Sequence, residues 1–255
     1  MIQQEKKVVA VVAVRMGSER LPGKVMKEIQ GRPMIGYLHE RLSGSRLVDE
    51  IVIATSGNQE NDIIARFCAQ NEILCFRGSE NDVLDRLVRA LEWRKASTGV
   101  VVFGDNPLID PDIVDELIGR FQCMENYEFV GNDLKTTYPP GMEVEVFDPN
   151  ALIRADSMAG NEDIRQHGTL YMRANPESFK IRNIEAPEGI IGAGVYLGVD
   201  SLEDFLVVKK ITCNFGSRRD YALTEIIEFL SANPEIAEIN QGVPRRWRKY
   251  RTDGQ

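Results

Sequence analysis

The chain has 255 residues, enough to bury the core of one large α/β domain or of one domain with a smaller lobe, and its 43% hydrophobic and 27% charged residues are ordinary for an enzyme. The formal net charge of −8 argues against general affinity for nucleic acid and against a basic membrane-binding surface, so we expect neither partner. No apolar run approaches the ~18 residues that cross a bilayer, and four scattered cysteines with only two histidines speak against a zinc site and predict a reducing, cytoplasmic location.

Apolar runs typical of buried strands alternate with helix-like segments over the first half of the chain. The first run, VVAVVAV, is β-branched and leads directly into Arg15 without a small-residue cleavage site, so it predicts a strand and not a signal peptide. The predicted strands are 8–14, 50–55, 73–76 and 99–105. The predicted helices are one after Pro33, with Ile35, Leu38 and Leu42 on one face, and those at 60–70, 83–94 and 110–121, the last capped by Asp110 with Pro111 as its first residue.

The pattern changes after about residue 130. Strands are predicted at 143–147 and 179–185, with an irregular helical region between them, and a further strand at 194–200 precedes a helix over 201–211. Ser201 and Asp204 suit a capping box at the start of that helix. The alternation of strands and helices predicts an α/β fold with a doubly wound, mostly parallel sheet of the Rossmann type. We expect a single domain over residues 1–255 that includes a smaller lobe at about 133–190.

The loop RMGSERLPGK, which follows the first predicted strand, combines glycines with the cations Arg15, Arg20 and Lys24. It departs from the P-loop pattern, because five residues separate Gly17 from Gly23 and no Ser or Thr follows the lysine. The charges could be solvated on a turn, but open α/β sheets bind ligands at the carboxyl ends of their strands, which favours a triphosphate site. The GxG at 192–194 begins a predicted strand and indicates close packing, not a dinucleotide site.

Several ordered motifs carry a resemblance to a known family: RMGSERLPGK, EIVIAT, FRGSENDVLDR (76–86), GDNPLIDP (104–111), YPPGMEVEVF (138–147) and VDSLEDF (199–205). In these motifs, which extend through most of the chain, the sequence resembles the cytidylyltransferases that activate acidic sugars as CMP conjugates. The resemblance is greatest to the branch of spore coat polysaccharide biosynthesis protein F, to which the 3-deoxy-manno-octulosonate cytidylyltransferases are related. It implies a nucleotide-diphospho-sugar transferase-like fold, transfer of CMP from CTP to an acidic sugar with release of pyrophosphate, a requirement for Mg²⁺, and a homodimer.

The resemblance also assigns roles to residues of this chain. Asp105 and Asp200 are each the last residue of a predicted strand and would hold Mg²⁺, although strand-end aspartates also serve as turn or cap residues. Arg15, Lys24 and Asp105 would be catalytic. The nucleotide would contact Arg15, Met16, Gly17, Ser18, Arg20 and Lys24 of the loop, and Thr55, Ser56, Arg77, Gly78 and Asp82 on the base and ribose side. Asp82 could equally be an N-terminal helix charge. Arg86, in the same motif, could help to hold the base or ribose or could be a solvated charge.

The acceptor is assigned to Tyr138, Gly141, Glu143 and His167. The sequence departs from its relatives mostly on this side, since many of them have Asp at position 143 and Glu at position 166. In the glycine-containing loop, relatives commonly have QAR where this chain has AVR at 13–15. The acceptor is therefore left open among an octulosonic acid, a nonulosonic acid and a non-sugar phosphonate or phosphate. The basic tail VPRRWRKYR is interpreted as a surface strap or subunit contact because the chain as a whole is acidic.

Three other functions were weighed against a cytidylyltransferase. A sugar-1-phosphate nucleotidyltransferase that uses another nucleotide would have a longer glycine loop of the LAAGxGTRL type, which the sequence lacks. A glycosyltransferase of similar fold would have a DxD metal motif, whereas GDNP supplies one aspartate. A nucleotide-binding regulator without catalysis is disfavoured because both candidate metal ligands, Asp105 and Asp200, are present.

Overall fold

The computed structural model describes residues 6–191 and 194–245. Seven strands of this part of the chain form one sheet, and two more form a small hairpin, β2 (Glu28–Ile29) with β3 (Arg32–Pro33). The strands of the large sheet are β1 (Val8–Ala13), β4 (Glu50–Ser56), β5 (Leu74–Gly78), β6 (Thr98–Phe103), β7 (Phe129–Gly131), β8 (Val144–Phe147) and β9 (Ile181–Asn183).

The strand order of the large sheet is β5-β4-β1-β6-β8-β7-β9. β5, β4, β1 and β6 run parallel, β8 is antiparallel to both β6 and β7, and β9 is parallel to β7. In the centre, Ala10 of β1 is paired with Ile51 of β4 and Val100 of β6. The predicted doubly wound, mostly parallel sheet is thus confirmed, and the loops that follow β1, β4 and β6 meet at one edge.

Ten helices are described, and they lie on both faces of this sheet. They are α1 (Met34–Leu42), α2 (Asp62–Gln70), α3 (Val83–Arg94), α4 (Pro111–Cys123), α5 (Pro149–Met158), α6 (Glu162–Arg165), α7 (Leu170–Ala174), α8 (Leu202–Phe215), α9 (Leu223–Ala232) and α10 (Pro234–Glu238). Ala10 and Val12 of β1 pack in a core with α1, α4, α8 and α9, whereas Val9 and Val11 pack with α3 and α5. Both sides of β1 are therefore buried, which explains its continuous apolar sequence.

Several helices begin or end at the residues that local sequence signals predict. α3 begins at Val83 and ends at Arg94, the predicted limits. Asp110 caps α4 by accepting from the amide of Asp112, and Pro111 is the first residue of that helix. Ser201 and Asp204 form the predicted capping box of α8. A side chain that satisfies a free amide at a helix start can be recognised without tertiary context.

The strand predicted at 194–200 is wrong. This segment forms no strand, because its amides bond to two loops instead of to a neighbouring strand. The amides of Leu197 and Gly198 donate to the carbonyl oxygen of Pro140 at 2.7 and 3.2 Å, and the amide of Val199 donates to the backbone carbonyl oxygen of Asp105 at 2.8 Å. Asp200 therefore lies at the end of a loop segment and not at the end of a sheet strand. β7 and the C-terminal helices α9 and α10 were not predicted.

Residues 133–190, for which a smaller lobe is predicted, contribute β8 and β9 to the main sheet together with α5, α6 and α7. Whether they act as a lobe for the acceptor or for dimerisation stays a prediction. Most of the GxG at 192–194 and of the basic tail, which continues to residue 251, lies outside the described residues. Of the helices in the described part, none is both long and apolar enough to cross a membrane.

Candidate active site

A cavity of about 410 Å³ opens at the carboxyl edge of the sheet. Its wall is formed by the loop after β1, the first turns of α3, the turn after β6, the start of β8 and the segment 166–173. Seven of the predicted site residues lie in this wall: Arg15, Arg20, Asp105, Gly141, Glu143, His167 and Asp200. The structure therefore brings together both candidate metal ligands, two loop cations and most of the predicted acceptor residues.

The glycine-containing loop is held in shape by its own backbone. The carbonyl oxygen of Met16 accepts from the amides of Ser18 at 2.8 Å and Gly23 at 3.0 Å. The amide of Met16 in turn donates to the Asn61 side chain at 2.8 Å. Gly23 has a φ of 66°, a left-handed conformation that costs glycine little. Gly17 is exposed. The loop is thus a fixed turn fastened to the segment after β4.

Four charged side chains meet beside this loop. The Lys24 ammonium donates to the Val199 carbonyl oxygen at 2.6 Å and lies 3.3 Å from an Asp105 oxygen and 3.4 Å from an Asp200 oxygen. Arg20 pairs with the other Asp200 oxygen at 2.8 Å. Arg15, farther out and 43% exposed, pairs with Glu80 at 3.1 Å. The loop supplies cations to two carboxylates that come from distant parts of the chain.

The two carboxylates differ in their electrostatic surroundings. Burial raises the pKa of Asp105, and the nearby ammonium of Lys24 opposes this effect. Burial also acts to raise the pKa of Asp200, but Lys24, Tyr196 and Arg20 together outweigh it and hold this pKa below its usual value. Asp200 is therefore the more readily ionised of the two.

The donor chemistry of this pair fits Mg²⁺. Carboxylate oxygens are the ligands that Mg²⁺ prefers, and it is often bound by one or two of them together with substrate phosphates. Asp105 and Asp200 both lie within 3.4 Å of the same Lys24 nitrogen, so they face one point beside the loop. In the described part of the chain, no group of three or more His, Cys, Asp or Glu side chains is arranged to hold a metal. The pair thus suits an ion that is completed by a bound nucleotide.

The residues predicted for the base and ribose lie at the ends of β4 and β5 and at the start of α3. Thr55 and Ser56, at the end of β4, are buried, and the Ser56 hydroxyl accepts from Asn61 at 2.8 Å. Arg77 donates to the carbonyl oxygens of Ser56 at 3.2 Å and Gly57 at 3.0 Å. These contacts support the turn after β4. None of the predicted residues among them belongs to the cavity wall.

Gly78 and Asp82 are also engaged within the fold. The Gly78 carbonyl oxygen accepts from the amide of Gly57 at 2.9 Å. Asp82 caps α3 by accepting from the amide of Asp85, and it pairs with Arg165 at 2.6 Å. The interpretation of Asp82 as a helix N-terminal charge is confirmed, whereas a contact of either residue with a base or ribose stays a prediction.

The predicted acceptor residues divide into two groups. Glu143, 8% exposed, accepts from the side chain of Asn106 at 2.9 Å and from the amide of Gly141 at 2.8 Å. Gly141 has a φ of 108°, and His167 lies on the exposed rim of the wall. Tyr138 donates instead to Glu116 at 3.2 Å and is absent from the wall. Glu143, Gly141 and His167 thus line the cavity, where they could contact an acceptor.

The structure adds residues that the sequence did not assign. Arg86, which was left open as a solvated charge, is 2% exposed in the cavity wall and donates to the Ser79 carbonyl oxygen at 2.6 Å. The solvated interpretation is therefore wrong. The Tyr196 hydroxyl donates to Asp200 at 2.9 Å. The sequence signal for Arg86 is its position in a motif, whereas the apolar pattern around Tyr196 predicts a strand and gives no sign of this contact.

A buried ionic cluster lies in the wall of the cavity. Arg173 is 3.0 Å from Asp133 and 3.2 Å from Glu145, and Thr169 donates to Glu145 at 2.5 Å. Both carboxylates are almost fully buried, so they require the guanidinium between them. No motif connects these four residues in the sequence, because β8, α7 and the loop after β7 come together only in the folded protein.

Comparison with known proteins agrees with this architecture. A family model described as cytidylyltransferase matches residues 9–229. The spore coat polysaccharide biosynthesis protein SpsF of Bacillus subtilis is 34% identical over 89% of this chain and 95% of its own length. A 3-deoxy-manno-octulosonate cytidylyltransferase of Geobacter sulfurreducens is 35% identical over 44% of each chain. The solved structure of a cytidylyltransferase from Leptospira borgpetersenii, 29% identical, superposes with a TM-score of 0.85 over 94% of this chain and 99% of its own. These findings confirm the resemblance that the motifs indicated.

Proposed function

This chain belongs to the cytidylyltransferase family, and from that premise we propose that it transfers CMP from CTP to an acidic sugar of the ulosonic or nonulosonic acid type. Family membership makes it a CTP-dependent nucleotidyltransferase. The resemblance to a spore coat polysaccharide biosynthesis protein supports a product used for surface polysaccharide.

The observation that carries the proposal is the cluster of Arg20, Lys24, Asp105 and Asp200 at the cavity. A triphosphate is strongly anionic, and the flexible ammonium and guanidinium of the loop are suited to bind its oxygens. The two carboxylates could not bind a triphosphate directly, because like charges repel. Their presence beside the cations supports a nucleotide that arrives with a divalent cation.

In the proposed reaction, a hydroxyl oxygen of the acceptor forms a bond to the α-phosphorus of CTP. The bond from that phosphorus to the bridging oxygen breaks, pyrophosphate leaves with the electron pair, and the hydroxyl proton is released. The protein contributes position and charge: Lys24 and Arg20 neutralise phosphate oxygens, and Arg15, at the exposed rim, guides the nucleotide. Glu143, fixed by Asn106 and the Gly141 amide, presents an acceptor for the hydroxyl hydrogens of the sugar.

Asp105 and Asp200 would hold Mg²⁺. When bound, this ion would neutralise the triphosphate and orient its α-phosphorus. Lys24 and Arg20, which contact these carboxylates, are the side chains available to transfer their contacts from carboxylate to phosphate.

The experiment for nucleotide choice is a calorimetric titration with CTP, UTP, GTP and ATP, each in Mg²⁺ and in EDTA. Binding of CTP at least tenfold tighter than binding of the other three is expected, with loss of affinity in EDTA. Preference for another nucleotide would instead favour a sugar-1-phosphate nucleotidyltransferase.

The acceptor is tested by pyrophosphate release with CTP and a matched panel. The panel contains octulosonic and nonulosonic acids, the corresponding neutral sugars without the carboxylate, and non-sugar phosphonates and phosphates. Turnover restricted to the carboxylate-bearing sugars is the expected result. Turnover with a phosphate or phosphonate alone would replace the acidic sugar by that class while leaving the CTP requirement intact.

The proposal includes a homodimer in the cytoplasm. The four cysteines, Cys68, Cys75, Cys123 and Cys213, are all free, which supports a reducing compartment. Light scattering at micromolar concentration is expected to give twice the mass of the chain, and a monomer mass would remove the dimer from the proposal.

A further inference from the structure

The C-terminal segment 240–245, which follows α10, contacts residues beside the glycine-containing loop. The Pro244 carbonyl oxygen accepts from Arg20 at 3.0 Å, and the same guanidinium pairs with Asp200 at 2.8 Å. Asn240, 2% exposed, donates to the Tyr196 carbonyl oxygen at 3.1 Å. This segment therefore touches the residues that surround one candidate metal ligand, although it lies beyond the region that the family model matches.

Asp204 connects this segment to Asp200. It is fully buried, and one of its oxygens accepts from the backbone amides of Asp200 at 3.0 Å and Ser201 at 2.9 Å. Its other oxygen accepts from the Asn240 side chain at 2.8 Å. A nitrogen of Arg245 lies 2.8 and 3.0 Å from the two oxygens. Asp204 thus holds the backbone amide of Asp200, and the guanidinium of Arg245 neutralises the Asp204 carboxylate.

Tyr196 provides a second connection. The Arg245 guanidinium lies over the Tyr196 ring, 3.4 Å from its centre, and the hydroxyl of that ring donates to Asp200 at 2.9 Å. The guanidinium is also held by the Asn240 carbonyl oxygen at 2.7 Å. One arginine therefore restrains both the backbone and the carboxylate of Asp200, through Asp204 and through Tyr196.

We propose that Arg245 is a positioning residue that sets the Asp200 carboxylate for the Mg²⁺ of bound CTP, so that the C-terminal segment 240–245 is part of the active site. The inference rests on the proposed function, because it takes Asp200 as a ligand of that ion. Within the described residues, Arg245 is the ion-pair partner of Asp204. Without it, a buried carboxylate would be left uncompensated, and the backbone that Asp204 holds would have to rearrange.

The test compares CTP binding in Mg²⁺ with CTP binding in EDTA, by calorimetry and without an acceptor, so that no turnover is involved. The ratio of the two dissociation constants measures the contribution of the metal. In R245A this ratio is expected to fall about tenfold, the usual scale for loss of a group that orients a metal ligand, while the dissociation constant in EDTA stays within about twofold of wild type. R245K is expected to recover part of the ratio, because an ammonium still neutralises Asp204.

R218A is the matched control, because Arg218 also forms a two-point pair with a carboxylate, that of Glu225, but at an exposed position. Its ratio should equal that of wild type. An unchanged ratio in R245A, or equal weakening of both dissociation constants, overturns the inference. If R245A does not unfold cooperatively on heating, R245Q, which keeps one donor for Asp204 without the charge, is measured instead, and an unchanged ratio there is equally decisive.

Failure of the proposed function would be visible in the wild-type protein itself. If CTP binds wild type no better in Mg²⁺ than in EDTA, the metal role of Asp200 is overturned and the role of Arg245 with it. If the wild-type protein shows the Mg²⁺ effect and R245A retains it in full, only the role of Arg245 is overturned.

Discussion

Lys24 and Asp105 form an ion pair of 3.3 Å although 81 positions separate them in the chain. The pair exists because β1 and β6 are parallel neighbours whose last residues, Ala13 and Phe103, are in register. The loop after one strand and the turn after the other must then meet at the same edge of the sheet. This contact joins the cations predicted for the triphosphate to the carboxylates predicted for the metal.

The variant D105N is expected to lose at least about 99% of turnover and to keep the fold. Burial in the folded protein raises the pKa of Asp105, so the folded state favours the protonated carboxyl. The free energy of unfolding gains from this protonated form at low pH and loses that gain as the pH rises through the raised pKa. At pH 7 and without metal, the neutral amide should therefore make the protein at least as stable as wild type. Steady-state kinetics and urea unfolding in EDTA measure the two effects.

D112N is the control for this variant, since Asp112 lies exposed in the first turn of α4. Its turnover should stay within about twofold of wild type. Substantial turnover by D105N would remove the assigned role of Asp105, and a marked loss of stability would show that its charge supports the fold.

The variant K24M is expected to weaken CTP binding by about 100-fold and to reduce turnover by at least as much. Lys24 is 13% exposed and is the cation that touches both Asp105 and Asp200, so its loss leaves the two carboxylates to repel each other and the triphosphate. Calorimetry with CTP in Mg²⁺ measures the binding. K27M changes a lysine three positions away and should bind CTP as wild type does, whereas equal binding by K24M would contradict a triphosphate role for the loop.

The variant G141A is expected to destabilise the protein by about 2 kcal/mol or more and to impair turnover. Gly141 has a φ of 108°, and a Cβ there would lie 2.5 Å from the backbone of Leu197 and Gly198. Because this neighbour is backbone, the segment that leads to Asp200 would have to move. Denaturant unfolding and kinetics detect the two consequences.

G119A tests the same chemical change where there is room for it. A Cβ at Gly119, within α4, meets nothing within 4 Å, and alanine is the better helix former, so the variant should be more stable by up to about 1 kcal/mol. If G141A is as stable as wild type, the close approach of the two segments is not a constraint on the fold.

The features that were correctly predicted are local or depend on one element at a time. A few neighbouring residues are enough to predict each of three features: the apolar stripe of α3, the cap at Asp110 and the β-branched run of β1. The mostly parallel sheet and the edge that carries the site follow from the alternation of strands and helices, which places successive loops together. This is why the sequence alone groups Arg20, Lys24 and Asp105 at one site.

The features that were missed depend on contacts between distant segments. The apolar residues at 194–200 suit a strand, but their amides bond to the loops of Pro140 and Asp105, which no period in the sequence reveals. Burial of Arg86 and of the ionic cluster around Arg173 results from tertiary packing, which overrides the usual exposure of charged residues. The contacts of Arg245 with Asp204 also join residues that are distant in the sequence, so no local pattern predicts them.

The variant E50Q is expected to lose roughly 1 kcal/mol of stability at pH 7, and the loss should shrink as the pH falls. Arg94 holds Glu50 by two contacts of 2.6 Å, and Lys7 adds one of 2.9 Å. The hydrogen bonds from Arg94 lower the pKa of Glu50 from 4.5 to about 2. Its stabilisation is thus complete above the unfolded-state value of 4.5 and disappears as the pH falls towards 2.

Urea unfolding of wild type and E50Q at pH 7, 5 and 3 measures this change. The difference between the two proteins should be similar at pH 7 and 5 and clearly smaller at pH 3, because the unfolded chain is then protonated at Glu50 while the folded chain is still ionised. E188Q, at an exposed position, should match wild type at all three values. A stability difference between wild type and E50Q that is the same at pH 7 and pH 3 would mean that Glu50 stabilises the start of β4 by packing or neutral hydrogen bonds and not through its charge.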